Sequence, residues 1–204
     1  MAVTTIQDIL GYWFGEFNEH GTTVENKGSL WWGGGAELDR EIRERFGETV
    51  EAAGRGELNH WAETAEGRLA LVILLDQFIR NVYRKTAKAF SFDPLARSLV
   101  LEGLANGHDK ELHCIQRVFF YMPLEHSEEM VHQEQCVEVF EALLQEVVEE
   151  VKPVFQDYLN FAYRHKAIID RFGRYPHRNN VLARESTQEE LEYLGGGGDT
   201  FGQG

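Results

Sequence analysis

Three arginines and a histidine fall within the ten residues Arg171-Phe-Gly-Arg-Tyr-Pro-His-Arg-Asn-Asn180, although the chain as a whole is acidic. From Arg164 to Arg184, six Lys and Arg stand against the single Asp170, so this stretch carries +5 and the rest of the −14 chain carries −19. A guanidinium is a rigid fork of donors that matches carboxylate or phosphate. Arg171, Arg174 and Arg178, with His177 and Asn179, therefore read either as an anion-binding turn or as the basic half of an internal ion-pair network. A second polar set occupies one helix face: at about 100° per residue, Asp76, Gln77, Arg80, Asn81 and Arg84 lie within an arc of about 140°. Their neighbours Leu75, Phe78, Ile79, Val82 and Tyr83 are large and apolar, and charges beside such a rim must be paired. The face is either a helix end emerging into solvent or the wall of a buried polar cavity.

Two histidines could move protons. Glu125-His126 sits beside Pro123, where carboxylate and imidazole can be held rigidly for acid–base work. His165 lies on the inward stripe of its helix between Ala162 and Ile169, a position equally suited to a hydrogen-bonded core histidine. Two Glu-x-x-His sequences, Glu57 to His60 and Glu129 to His132, have the spacing used in di-iron bundles. Such matches arise by chance in a Glu-rich chain, and the first sits in a glycine-bounded turn, so no metal is expected. Phosphate-loop, zinc-finger and Gly-x-Ser-x-Gly patterns are absent, and no cofactor is expected. Nine glutamates without a Lys or Arg between Glu125 and Val151 lack the spacing of a calcium loop and read as a solvated face.

The elements that must position these groups are helical throughout, because apolar residues recur at helical spacing and strand-like alternation is scarce. Thr5 with Asp8 caps a first helix carrying Ile6, Ile9, Leu10 and Trp13, which ends at Gly15. A loop from about 16 to 35 contains Trp31-Trp32 and precedes a second helix marked by Leu38, Ile42, Phe46 and Val50. A third, about 65 to 84, is apolar on every side over Leu69 to Leu75 and should be central. Asp93 is read as the N-cap of a fourth, with Pro94 in its first turn, running to Asn106-Gly107. A fifth, about 112 to 121, is expected to stop at Pro123. Ser127 is read as the cap of a long helix and Pro153 as the start of the next, with Phe155, Tyr158, Ala162, Ile169 and Phe172 buried. Ser186-Thr187 caps a short last helix. One domain over 1–194 is expected, followed by a flexible glycine-rich tail over 195–204.

Composition narrows the function classes. The 204 residues and 43% apolar content fit one ordinary globular core. A net charge of −14 argues against nucleic acid and anionic membranes as partners. No run reaches a membrane span, and Met1-Ala-Val-Thr-Thr5 has neither the charged start nor the apolar stretch of a secretory signal, so a cytoplasmic setting is expected. Cys114 and Cys136 are too few for a disulfide framework and read as small buried residues.

Four segments together resemble the bacterial "domain of unknown function 924" family: Leu75-Asp-Gln-Phe-Ile-Arg-Asn81; Ala89-Phe-Ser-Phe-Asp-Pro-Leu-Ala96; Phe119-Phe-Tyr-Met-Pro-Leu-Glu-His-Ser-Glu128; and Arg171 to Asn179 with Glu185-Ser-Thr187. Order and spacing fit over about 5–194. The resemblance implies an all-α fold of antiparallel helix hairpins in a tetratricopeptide-repeat-like array around a central buried helix, although no 34-residue repeat is visible. It implies no activity. Ile79 stands where the family typically has proline, which should straighten the helix. Because the shared motifs are mostly polar, they are expected to converge on one cavity. Three roles follow. The cavity binds a small anionic ligand or peptide carboxylate through Arg80, Arg84, Arg171, Arg174 and Arg178. Alternatively, it is a hydrolase or transferase site using His126 or His165 with Asp76 or Glu125. In the third case its polar groups form a closed structural network.

Overall fold

A computed structural model of the protein describes residues 4–202; Met1 to Val3 of the opening segment and the last two residues of the tail lie outside it. Among the described residues the fold is all-α, with a single isolated bridge between Phe17 and Thr23 in place of any strand. The helices are α1 Ile6–Trp13, α2 Ala36–Gly54, α3 Ala65–Val72, α4 Ile79–Val82, α5 Asp93–Asn106, α6 Cys114–Glu125, α7 Met130–Glu146, α8 Lys152–Phe172 and α9 Gln188–Gly195. Short side chains begin several of them. Thr5 and Asp8 form a reciprocal capping box on α1, Thr64 accepts from the Gly67 N–H at the start of α3, and Thr187 and Glu190 repeat the box on α9.

Two helices run through the core. Ala65 and Gly67 to Val72 of α3 are buried, as expected from the apolar run, and every residue of α6 from Ile115 to Glu125 is buried as well. Gly67 permits this packing, because a Cβ there would lie 2.1 Å from the Trp61 carbonyl oxygen. Trp13, Phe14, Phe78 and Phe119 interlock edge-to-face with centroids 5.3 to 5.6 Å apart, tying α1 to both central helices. Helices α6, α7 and α8 pack on one another in sequence order, while α2 lies along α4 and the stretch Ile73–Phe78 before it.

The central helix is not uniform. Between α3 and α4 the residues Ile73–Phe78 form a π-helical segment, so the stretch expected as one regular helix over 65–84 is α–π–α and ends at Val82. Helix α6 passes through Pro123 and ends at Glu125, two residues beyond the expected stop. Proline there lacks the N–H that would bond back to the Phe119 carbonyl, yet the helix continues for one more half-turn. Ser127 is not the cap residue of α7; Glu129 holds that position, and the Ser127 hydroxyl accepts from the Glu129 N–H at 3.2 Å and contacts His132 Nδ1 at 2.9 Å. Among the described residues no helix is long and apolar enough to cross a membrane.

Candidate functional site

A second π-helical segment, Ser29–Gly33, follows the Phe17–Thr23 bridge and carries Trp31 and Trp32. The Trp31 indole N–H donates to the Trp13 carbonyl at 2.9 Å, and Trp32 lies parallel to Phe119. These two tryptophans face the second half of the central helix across a cavity of about 660 Å³. Gln77, Arg80, Asn81 and Arg84 form one wall, Glu125 and His126 the end of α6, His165 the inner face of α8, and His177 and Arg178 the turn after α8. The opposite part is apolar, with Val118, Met122, Val154, Tyr158 and Phe161 beside the tryptophans. Both π segments thus border the same hollow, in keeping with the occurrence of π-bulges at functional sites.

The polar floor is built around Asp76, which is fully buried. His126 Nδ1 lies 2.6 Å from Asp76 Oδ1, Gln77 Nε2 donates to Oδ2 at 2.5 Å, and Arg80 Nη2 lies 3.4 Å from Oδ1. Burial alone would raise the carboxyl's pKa, but the Arg80 charge and the hydrogen bonds from His126 and Gln77 outweigh that and hold it below the usual range. Burial also presses the His126 imidazole below its ordinary value, and Arg80 adds to this against the attraction of Asp76. At neutral pH the pair is therefore a neutral imidazole on an ionised carboxylate, with Arg80 and Gln77 keeping Asp76 charged. The proton belongs on Nδ1, which faces the carboxylate, and Nε2 carries the free lone pair.

A second carboxylate–imidazole pair stands beside the first. His165 Nδ1 is 2.9 Å from both the Phe161 carbonyl oxygen and Glu125 Oε1. Both neighbours are acceptors, so Nδ1 carries the hydrogen, directed at Phe161; Glu125 Oε1 is left buried without a well-aligned donor. The His126 and His165 rings are 6.2 Å apart between centroids, and neither Nε2 has a protein partner among the described residues. His177 completes the set, with burial first and then Arg178 and the other two histidines bringing its pKa down to about 3. It is neutral, and its Nδ1 is buried without a partner.

The arginines are already paired. Arg80 forks onto Asp93 at 3.0 and 3.3 Å, and Arg84 onto Asp39 at 2.6 and 2.8 Å. Arg178 Nη1 donates to the His126 carbonyl at 3.0 Å and reaches Asp93 at 3.5 Å, while its Nε is buried without a partner. The hollow is consequently not the strongly basic one that the arginine count implies. Arg171, Arg174 and Asn179, expected as ligand donors, do not line it. Arg171 pairs with Glu189, Arg174 forks onto Glu190 at 2.6 and 2.8 Å, and Asn179 donates to Ser186 Oγ and Glu190. They fasten α9 and the segment before it to the end of α8 and the turn instead. Asp93, expected as a helix cap, sits inside α5 and serves as the shared carboxylate of Arg80 and Arg178. Spacing along the chain carries no sign of that role, nor of Asp39, which also accepts from Asn81 at 2.9 Å.

Residues 9–198 match the family model described as bacterial protein of unknown function (DUF924). The chain belongs to this family. The family is named for having no known function, and a comparison with curated proteins gives no match. A solved structure of a protein of unknown function, ATU0120 from Agrobacterium tumefaciens, is 41% identical, with a TM-score of 0.71 over 80% of this chain and 87% of that one. Three of the four segments that carry the resemblance meet at the cavity, through Gln77, Arg80 and Asn81, through Glu125 and His126, and through His177 and Arg178. The fourth supplies Asp93 behind it. Among the described residues no group of three His, Cys, Asp or Glu side chains is arranged to hold a metal ion.

Proposed function

We propose that the cavity is a hydrolytic active site in which a histidine activates water against a small acyl compound. The observation that carries this reading is the buried Asp76–His126 contact of 2.6 Å, with a second imidazole, His165, fixed by the Phe161 carbonyl and 6.2 Å away between ring centroids on the same hollow. Such an arrangement fixes tautomer and orientation, and it leaves one basic nitrogen per ring. A water between the rings donates one hydrogen to each Nε2. His126 takes the proton as the water oxygen bonds to the substrate carbonyl carbon, and returns it to the departing oxygen or nitrogen as that bond breaks. The products are a carboxylic acid and an alcohol or amine. Arg178, whose guanidinium borders the cavity, supports the negative charge that develops on the carbonyl oxygen. The residues lining the cavity include no Ser, Thr or Cys, which favours direct attack by water over transfer through a covalent serine or cysteine intermediate.

The experiment is a hydrolysis screen with p-nitrophenyl esters of short and medium acids and with N-acyl amino acids, comparing wild type, His126→Ala and Asp76→Asn. Loss of about 10²- to 10⁴-fold in kcat/KM is expected for a misplaced base. Hydrolysis unchanged in His126→Ala would remove the proposal. Binding of a small carboxylate without turnover is the second reading, favoured by Arg178 at the cavity wall, and it predicts thermal stabilisation by the acid products alone. The free thiols of Cys114 and Cys136 support a cytoplasmic setting for either role.

A further inference from the structure

The glycine-rich tail returns to the cavity. After α9, Gly196 to Gly198 reverse the chain, with Gly197 at a φ of 84°. The Tyr193 hydroxyl accepts from the Asp199 N–H at 2.9 Å, and the Asp199 carboxylate pairs with the Arg164 guanidinium. Phe201 then lies flat on His165, ring centroids 3.6 Å apart and 15° between planes, with Tyr175 and His177 edge-on at 6.4 and 6.1 Å. Phe201 and Gly202 are part of the cavity wall. The ring therefore covers the imidazole that the proposed reaction needs free.

This seat is built to be left. Phe201 has a φ of 50°, a left-handed conformation that a bulky side chain adopts only when held there. The glycines behind it make a flexible hinge. Beyond Phe201 the wall continues outward as Phe161, Val154 and Trp32, all large apolar side chains that are exposed at 44%, 52% and 51%. An apolar surface of this kind at the mouth of a polar-floored cavity calls for an amphipathic occupant.

We propose that Phe201 is an intramolecular competitor seated in an aryl subsite, and that the cavity's substrates are carboxylic acid derivatives whose aromatic ring displaces it. The ring of the incoming molecule stacks on His165 in place of Phe201, and its carbonyl carbon reaches the His126 and Arg178 end. The proposal rests on the cavity being the functional site, but its test requires no turnover. Diethyl pyrocarbonate acylates an accessible imidazole nitrogen, here His165 Nε2, since Nδ1 is held on the Phe161 carbonyl. Its rate at His165 is read by peptide mass spectrometry relative to the exposed His60 in the full-length protein.

Phe201→Ala should raise the His165 rate about two- to tenfold, the range to which the stabilisation of one stacked aromatic pair converts. Asp199→Asn, which leaves the ring in place and removes its Arg164 clamp, should raise it by less. In Phe201→Ala, 3-phenylpropionate should slow the modification again at a concentration where hexanoate does not. Equal His165 rates in wild type and both variants would overturn the proposal, as would equal protection by the two acids or protection by neither. A His126→Ala protein that keeps full hydrolytic activity would sink the reaction proposed above yet leave these rates readable.

Discussion

Asp76→Asn removes a charge while keeping the shape of the side chain, which makes it the sharpest probe of the buried floor. Asp76 is inaccessible to solvent, and its three contacts are His126 at 2.6 Å, Gln77 at 2.5 Å and Arg80 at 3.4 Å. The amide oxygen can still accept from His126 Nδ1, but its NH2 faces the Gln77 NH2, so Gln77 must turn to offer its oxygen. Arg80 is not stranded, because Asp93 holds both of its terminal nitrogens. The loss is then the difference between two charge-assisted and two neutral hydrogen bonds, about 2–3 kcal/mol. Asp76→Ala, which also leaves His126 and Gln77 without a partner, should cost about 3–5 kcal/mol. Urea denaturation measures both, as a lower midpoint at unchanged slope. The same variants carry an electrostatic signature. With the carboxylate gone, burial and Arg80 act on His126 against Glu125 alone, so its NMR-titrated pKa should fall further below the ordinary 6.5. An asparagine variant within about 0.5 kcal/mol of wild type, or a His126 pKa that rises, would refute the coupled pair.

Further outcomes follow from the same geometry. Acidification should cut activity, since the base is the neutral imidazole: its pKa is lowered in the folded state, so kcat/KM holds near neutral pH and declines only as pH falls below 6.5 through the His126 value. Stability should follow the same sense through His177. Its folded pKa of about 3 lies below the unfolded 6.5, so its contribution is complete above pH 6.5 and drains away between 6.5 and 3 in a pH series of urea melts. Tyr175→Phe deletes the hydroxyl that donates to the Glu125 carbonyl at 2.5 Å and accepts from Gln133 at 2.9 Å, and should cost about 1–3 kcal/mol. Gly67→Ala should destabilise by about 1–3 kcal/mol, because the added carbon meets a backbone oxygen that cannot swing aside. Arg178→Ala should abolish thermal stabilisation by a bound carboxylate whereas Arg174→Ala leaves it intact, since Arg174 is spent on Glu190 outside the cavity.

Helix positions were legible in the sequence because apolar spacing and caps are local. Thr5, Thr187 and the run from Leu69 to Leu75 each signal their element within a few residues. The polar face from Asp76 to Arg84 and the residues Glu125, His126, His165, His177 and Arg178 were legible as well, being chemically conspicuous against apolar neighbours. What stayed hidden is pairing at long range. Asp93 looks like a helix-starting residue because Asp-Pro is a helix start, and only the fold brings it 3.0 Å from Arg80. Arg171 and Arg174 share a motif with Arg178 but leave the turn elsewhere, a distinction that residue type does not carry. Nor does composition reveal the seat of Phe201, which lies in a segment whose glycines predict freedom.

The π-helical stretch over Ile73–Phe78 makes the central helix a registration device. Restoring ordinary i to i−4 bonding there with every residue kept would turn everything downstream by about 100°. Asp76 would swing away from His126, and Arg80 from Asp93. Such a straightening would preserve helix content in circular dichroism while scrambling the alignment of the whole polar wall. One surplus residue, taken up by the wider turn, therefore sets which way an entire row of side chains points.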